Sequence, residues 1–549
     1  MPGVVTRYSS DVESLQATYA ISFSPERMDR MQHFYEDEQH QLEAMDFDQL
    51  TEDDQLDYLL LKNCLEENLR DLDLRRHQTA QMAPLLPFAS MIEGFAEQRR
   101  RMLRPDAEAT AQQLTEMVTT IRATMETLDP AKNPGKPKPD PIVVNRAVHA
   151  TEELQQTLAD WYAQYNGYDP QFTWWDVMPY EAADKALTAY QSFLKEKLLG
   201  ISADDKTTII GDPVGRAALM DELRANMISY TPEEILAIAQ TEYDWCLKQM
   251  LLASRQMGYG DDWHAAVEKV KSMHVAPGEQ PEMIRKLLVQ ADAFVAKNDL
   301  VTVPPLAEET MRMVMMTPER QLVNPFFTGG DEISVSYPTD TMTFDQREMS
   351  MRGNNIPFAH ATTFHEMIPG HFLQFYMGAR YHAYRTPFAT PFWYEGNALW
   401  WEMLFWDKGW DSTPAERIGA LVWRMHRSAR ILFTLNFHLG RWTPQQCVQF
   451  IETHVGFDAD NATAEVRRSF DGSVGPLYQS SYLLGALQFR ELHKELVGSG
   501  KMTERQFADA VLHQNAMPVA MLRAYLEHQK LTRDFVPEWK FYGPHPTHP

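Results

Sequence analysis

The sequence predicts a mainly α protein: a large helical body with a small β-hairpin or sheet near the residues that carry the chemistry. Apolar residues recur at helical spacing over most of the chain. Helix-start signals precede some of these stretches, the clearest being Thr231-Pro232-Glu233-Glu234, with Thr as N-cap, Pro at the first position and Glu at the third. The best strand candidate is Ile333-Ser334-Val335-Ser336-Tyr337, a β-branched alternating run after the turn residues Gly329-Gly330-Asp331.

In order, residues 25–75 are acidic and periodic, with Leu42, Met45, Phe47, Leu50, Leu56, Leu59 and Leu60 at apolar positions. Residues 106–128 read as a long amphipathic helix that Asp129-Pro130 stops. The proline-rich stretch 133–141 reads as a surface connector. Further helices are expected over 142–165, 181–199, 213–226, 231–257, 278–296 and 304–316, with a short extended piece over 204–210. The run 333–337 has two readings. It is an edge strand for an extended substrate, or a small structural hairpin. No internal repeat occurs. The chain reads as a single helical domain over 1–549. The one seam, 131–141, divides a possible N-terminal helical subdomain, 1–130, from a catalytic part, 142–549.

With 549 residues, 11% aromatic and 23% charged, the chain is a folded globular protein with ample length for a large core. A net charge of −25 and a pI near 5.1 argue against nucleic acid and against an anionic membrane surface as partners. Cys64, Cys246 and Cys447 are scattered and odd in number, so neither a disulfide framework nor a cysteine-held metal is expected. No apolar run approaches the roughly 20 residues of a membrane span. Residues 1–20 lack the pattern of a signal peptide, so the expected location is cytoplasmic; the alternative is an exported protein whose leader was removed.

The chemistry concentrates in His365-Glu366-Met367-Ile368-Pro369-Gly370-His371 and in Glu395, 24 residues beyond His371. Two histidines and a downstream glutamate form the ligand set of a catalytic zinc site, and a glutamate after the first histidine is where zinc peptidases keep their general base. The spacing is unusual. Zincins place the histidines one helical turn apart, whereas six residues on an unbroken helix turn through roughly 600° and leave His371 about 120° off the His365 direction. Pro369-Gly370 favours a break or bulge that returns His371 to the same side. Glu395 and Glu402 lie two turns apart on an aromatic helix with Phe392, Trp393, Trp400 and Trp401, where buried carboxylates need partners. A metal for Glu395, and a histidine or arginine for Glu402, supply them. His360, His382 and His426 read as core or surface residues. No GxSxG, P-loop or dinucleotide fingerprint is present.

These motifs, with Gln374 and the stretch Glu395-Gly396-x-Ala398-Leu399-x-x-Glu402, resemble the bacterial family called domain of unknown function 885. Its members are regarded as zinc metallopeptidases distantly similar to the helical gluzincins, among them thimet-type oligopeptidases and angiotensin-converting enzyme. The resemblance extends over most of the chain and is strongest from about 350 to 495. Arg427-x-x-Arg430 with His438 and Gly440-Arg441-Trp442-Thr443, and Glu465-Val466-Arg467 with Pro476 and Tyr482-x-x-Gly485, resemble two further family segments. The chain departs from the family at Thr434, Tyr478, Gln488 and His493, which touches substrate preference rather than the metal. The resemblance implies a helical body with a deep cleft, one Zn²⁺ per chain on His365, His371 and Glu395, and Glu366 as base.

The expected function is zinc-dependent hydrolysis of small peptides. In that reading Glu366 takes a proton from water. Tyr482, with Tyr478 or His438, donates to the oxyanion. Glu402 orients a ligand. Arg427 or Arg430 pairs with Glu402, binds a substrate carboxylate, or braces the helices. Two rivals stand beside it: a zinc amidase on a non-peptide substrate, and a non-catalytic helical binding protein with a residual metal site.

Overall fold

The computed structural model describes residues 1–202, 205, 208–323 and 326–543. Among these residues the chain forms 23 α-helices and a two-stranded sheet. No described helix is long and apolar enough to cross a membrane. The extended piece expected over 204–210 falls in part on residues outside the described ones.

The chain forms two compact units. One comprises Met1–Val5, Asp46–Cys64 and Pro213–Pro549; the other comprises Thr6–Met45 and Leu65–Asp212. The proline-rich seam at 131–141 lies inside the second unit, so the two units do not divide there.

The second unit is all helical. Its helices include Pro25–Glu43, Ala89–Arg100, Ala107–Leu128, Pro141–Tyr165 and Pro170–Phe193. Ser24, Asp106, Asp140 and Asp169 cap four of these starts. Three of the four have proline in the first turn, where its missing N–H costs no bond. The core centres on Trp161, which stacks on Phe95 at 4.4 Å and meets Phe172 edge-on at 5.3 Å. The helix expected from 181 begins at Pro170, because Asp169 caps it and Pro179 is accommodated within it.

The first unit carries the chemistry. The helices that position it are α1 (Pro232–Gln256), α2 (Ile356–Glu366), α3 (His371–Gly378), α4 (Pro391–Asp407), α5 (Pro414–His438), α6 (Ala459–Phe470) and α7 (Tyr478–His493). The capping box expected at Thr231 and Glu234 is present. Helix α5 is buried along nearly its whole length and packs on α1, α2 and α7. A buried ion pair, Arg424 with Glu242 at 3.2 Å, ties it to α1. Helices α4 and α7 cross at Gly396 and Gly485. A Cβ on Gly396 would lie 2.5 Å from the Gly485 Cα, so both positions must lack side chains. That crossing sets Glu395 beside the first turn of α7.

The sheet pairs β1 (Met313–Met315) in parallel with β2 (Ile333–Val335). The helix expected over 304–316 is therefore shorter, Pro305–Thr310, and the methionine-rich end of the stretch is a strand. Its pairing partner lies 20 residues on, a long-range contact that overrides local helix preference. Ser334 also bridges Thr328 in the antiparallel sense across the Gly329-Gly330 turn. Strand β2 thus has β1 along one side and a single bridge to Thr328 on the other. Thr328 and Gly329 line the cavity.

Candidate metal centre

The centre starts from the break between α2 and α3. Helix α2 ends at Glu366, α3 begins at His371, and Met367 has φ −119° and ψ −107°. The Gly370 N–H donates back to the Phe364 carbonyl at 3.0 Å, folding the detour tightly against α2. A Cβ on Gly370 would sit 1.8 Å from the His365 carbonyl oxygen, so only glycine fits. The detour brings the His365 and His371 rings to 4.9 Å, nearly perpendicular.

His365 Nε2 lies 3.6 Å and His371 Nε2 3.3 Å from the same atom, Glu395 Oε2. That oxygen is buried and meets no hydrogen-bond donor in good geometry. Tetrahedral zinc ligands about 2.0–2.2 Å from an ion stand roughly 3.3–3.6 Å apart, so the donor set fits a zinc ion. Glu366 also approaches the histidines, each of the three offering an atom within 4.8 Å of the others. Its Oε2, however, accepts the Gly329 N–H at 2.5 Å. Glu395 lies closer, and the oxygen it turns to the histidines meets no such donor, so it is the better third ligand; Glu366 stands beside it.

The ligands are held from behind. His371 Nδ1 meets Gln374 Oε1 at 3.0 Å; an amide oxygen only accepts, so Nδ1 carries the proton and Nε2 is free to bind. The Gln374 amide is itself fixed, its nitrogen donating to Asn397 Oδ1 at 2.9 Å and to the Tyr394 carbonyl at 3.1 Å. His365 Nδ1 lies 2.7 Å from Glu402 Oε1, an ion-pair approach without hydrogen-bond geometry, and Arg427 reaches the same oxygen at 3.3 Å. Burial opposes charge on His365, but Glu395 and Glu402 outweigh it and raise its pKa to about 9. His371 is raised in the same sense. Burial likewise works against ionised Glu395, yet the two histidines hold its carboxyl well below the usual range.

Tyr478 donates its hydroxyl to Glu395 Oε1 at 2.8 Å, and Tyr482 lies 3.3 Å from Tyr478, oxygen to oxygen. Tyr478 spends its one proton on Glu395, so in this pair Tyr482 is the donor. Burial pushes Tyr482 up to about 12, and it keeps its proton at neutral pH. Tyr478 is raised too, by the charge Tyr482 would carry once ionised and by burial.

A cavity of about 550 Å³ joins these groups; Glu366, Tyr482 and three arginines line it. Arg427 pairs with Glu402, whereas Arg430 pairs through Nε with Glu465 at 2.6 Å and lies over the Tyr482 ring. His438 is a correction. It follows Arg430 by eight residues, about 12 Å along the helix, and packs on Phe437 and Phe470 without lining the cavity. His360 stacks on Trp410, His382 meets the His513 carbonyl, and His426 packs on Phe457. Three participants escaped the sequence reading. The Gly329 N–H and Asn397 had no signal of their own. Arg468 did, one turn after Glu465 on α6.

Fold and cluster together define a mainly helical protein with a buried His-His-Glu cluster. The chain belongs to the family described as "Bacterial protein of unknown function (DUF885)", which matches residues 14–526. No curated protein matches it. Two solved structures share the fold, both described as putative lipoproteins. One, "of unknown function", from Shewanella oneidensis, is 17% identical with a TM-score of 0.70, covering 95% of this chain and 99% of its own. The other, from Colwellia psychrerythraea, is 16% identical with a TM-score of 0.61, covering 96% and 98%.

Proposed function

We propose that this chain is a zinc-dependent hydrolase that cleaves peptide bonds of small peptides. The observation that carries the reading is the convergence of His365 Nε2 and His371 Nε2 on the buried Glu395 Oε2, with Glu366 in the same cavity. These three ligands would hold the metal. Zinc, when bound, supplies Lewis acidity, making water a stronger acid and a carbonyl a better electrophile.

The chain's own residues do the rest. Glu366, positioned by the Gly329 N–H, accepts the proton of the attacking water and returns it to the leaving nitrogen. Tyr482 turns its hydroxyl proton from Tyr478 to the oxygen that gains charge as the carbonyl carbon becomes tetrahedral. Tyr478 holds Glu395, Gln374 holds His371 and Glu402 holds His365, so the ligands are oriented before any substrate arrives. A purely structural metal site would need no group like Glu366. The lipoprotein descriptions of the two solved neighbours support an exported location over the cytoplasmic one.

The test is a digest of a mixed peptide library by zinc-loaded protein, with fragments read by mass spectrometry. Cleavage that stops in Glu366→Gln supports the reading. An intact library with one zinc bound contradicts it, and hydrolysis confined to non-peptide amides would give the site to the amidase rival.

A further inference from the structure

We infer that Arg468 anchors the C-terminal carboxylate of the substrate, so the cavity takes peptides by their carboxyl end. The chemistry rests on the hydrolase reading; the binding does not.

Three guanidiniums line the cavity, and two are committed. Arg427 is 6% exposed and paired with Glu402; Arg430 is 8% exposed, paired with Glu465 and covered by the Tyr482 ring at 4.6 Å. Arg468 is different. Its side chain is 40% exposed, and its nearest carboxylate oxygen, Glu465 Oε2, stands 3.6 Å from Nε, beyond hydrogen-bond length. Guanidinium presents a planar fork of donors that matches a carboxylate, and among the described residues no acceptor takes a hydrogen bond from this one.

Charge balance points the same way. Glu465 faces two arginines, Arg430 and Arg468, and a buried His426 that burial and Arg430 keep neutral. One positive charge is left over beside the catalytic groups. Among the described residues the cavity has no uncommitted carboxylate for a peptide's amino end. Among the described residues its only carboxylates are Glu366 and Glu395, one held by Gly329 and the other by Tyr478. Phe326, Phe358, Phe375 and Trp423 supply apolar walls, so the favoured substrate has apolar or aromatic side chains near its carboxyl end. In the reaction, water adds across the C–N bond. The acyl carbon takes the hydroxyl, the nitrogen takes the proton, and a short C-terminal fragment leaves as a free amine.

The test is calorimetric binding of N-acetyl-Phe-Phe and of its C-terminal amide, to zinc-loaded and to chelator-treated protein. Wild type should bind the acid at least about tenfold more tightly than the amide in both forms. Arg468→Gln should bind the two alike, and Arg468→Lys should restore part of the difference. A residue that merely braces Glu465 would lower Tm without changing the acid-to-amide ratio. Equal binding by wild type, no binding of either, or a preference that survives Arg468→Gln overturns the anchor. So does a preference present only with zinc, which would put the carboxylate on the metal. If Arg468→Gln fails to fold, the chelator-treated wild type and Arg468→Lys still decide. Acid-selective binding without cleavage would sink the hydrolase reading alone; equal cleavage of acid and amide would sink the anchor alone.

Discussion

Helix α5 contributes to two His–Glu–Arg groups that behave oppositely. In the first, His365 lies against Glu402 and Glu395, with Arg427 behind, and its pKa rises to about 9 despite burial. In the second, His426 shares Glu465 with Arg430 and Arg468, and burial together with the Arg430 charge drives it down to about 3. The residue types are the same; the balance of charge is reversed. Carboxylates in excess make a pocket that recruits a cation, whereas guanidiniums in excess keep the histidine neutral and leave room for an anion. In the proposed hydrolase reading, the first group would hold the metal and the second the substrate's carboxylate.

The largest expected effect separates base from ligand inside the first group. Glu366→Gln should lower peptide hydrolysis by about 10²–10⁴-fold while zinc stays bound. Steady-state kinetics beside elemental analysis checks this, and near-normal turnover would move the base elsewhere. Next comes Tyr482→Phe, which removes only a hydroxyl. It should cost about 10²–10³ in kcat with KM little changed. A loss of stability with ordinary turnover would make Tyr482 a packing residue.

Gln374→Ala sharpens the contrast more gently. It frees the His371 ring and should weaken zinc binding by about 10–100-fold, whereas His426→Gln should leave the affinity unchanged. Competition against a calibrated chelator measures both. The smallest step, taken per pH unit, comes from titration. Without metal, His365 has a raised pKa of about 9, so near neutrality it carries a proton that an incoming ion must displace. Apparent zinc affinity should therefore climb by at least roughly tenfold per pH unit from neutrality up to that pKa, since His371 is raised as well, and level off above it. A flat profile over that window would mean His365 is already deprotonated.

Much of this was legible in the sequence because it is local. Pro369-Gly370 announced the break that a six-residue histidine spacing requires, and the break falls there. The Thr231 capping box and the strand at 333–335 follow from residues within one turn or one hairpin. What escaped depends on distant partners. The strand at 313–315 exists only because 333–335 lies beside it. His438 shares a helix with Arg430 but lies two turns past the cavity, a placement that helix packing alone sets. Tyr478 outranks Tyr482 as the contact to Glu395 because the Gly396–Gly485 crossing fixes the height of α7. Charge balance was the least legible of all, since Glu402 meets a histidine 37 residues earlier and Glu465 an arginine 35 residues earlier.

The central claim is that His365, His371 and Glu395 hold a catalytic zinc. Elemental analysis of purified wild-type, His371→Ala and His426→Ala proteins, each dialysed against dilute zinc, tests it most directly. The account predicts about one zinc per chain in wild type and in His426→Ala, and a small fraction of that in His371→Ala. Full occupancy in His371→Ala, or none in wild type, would contradict it.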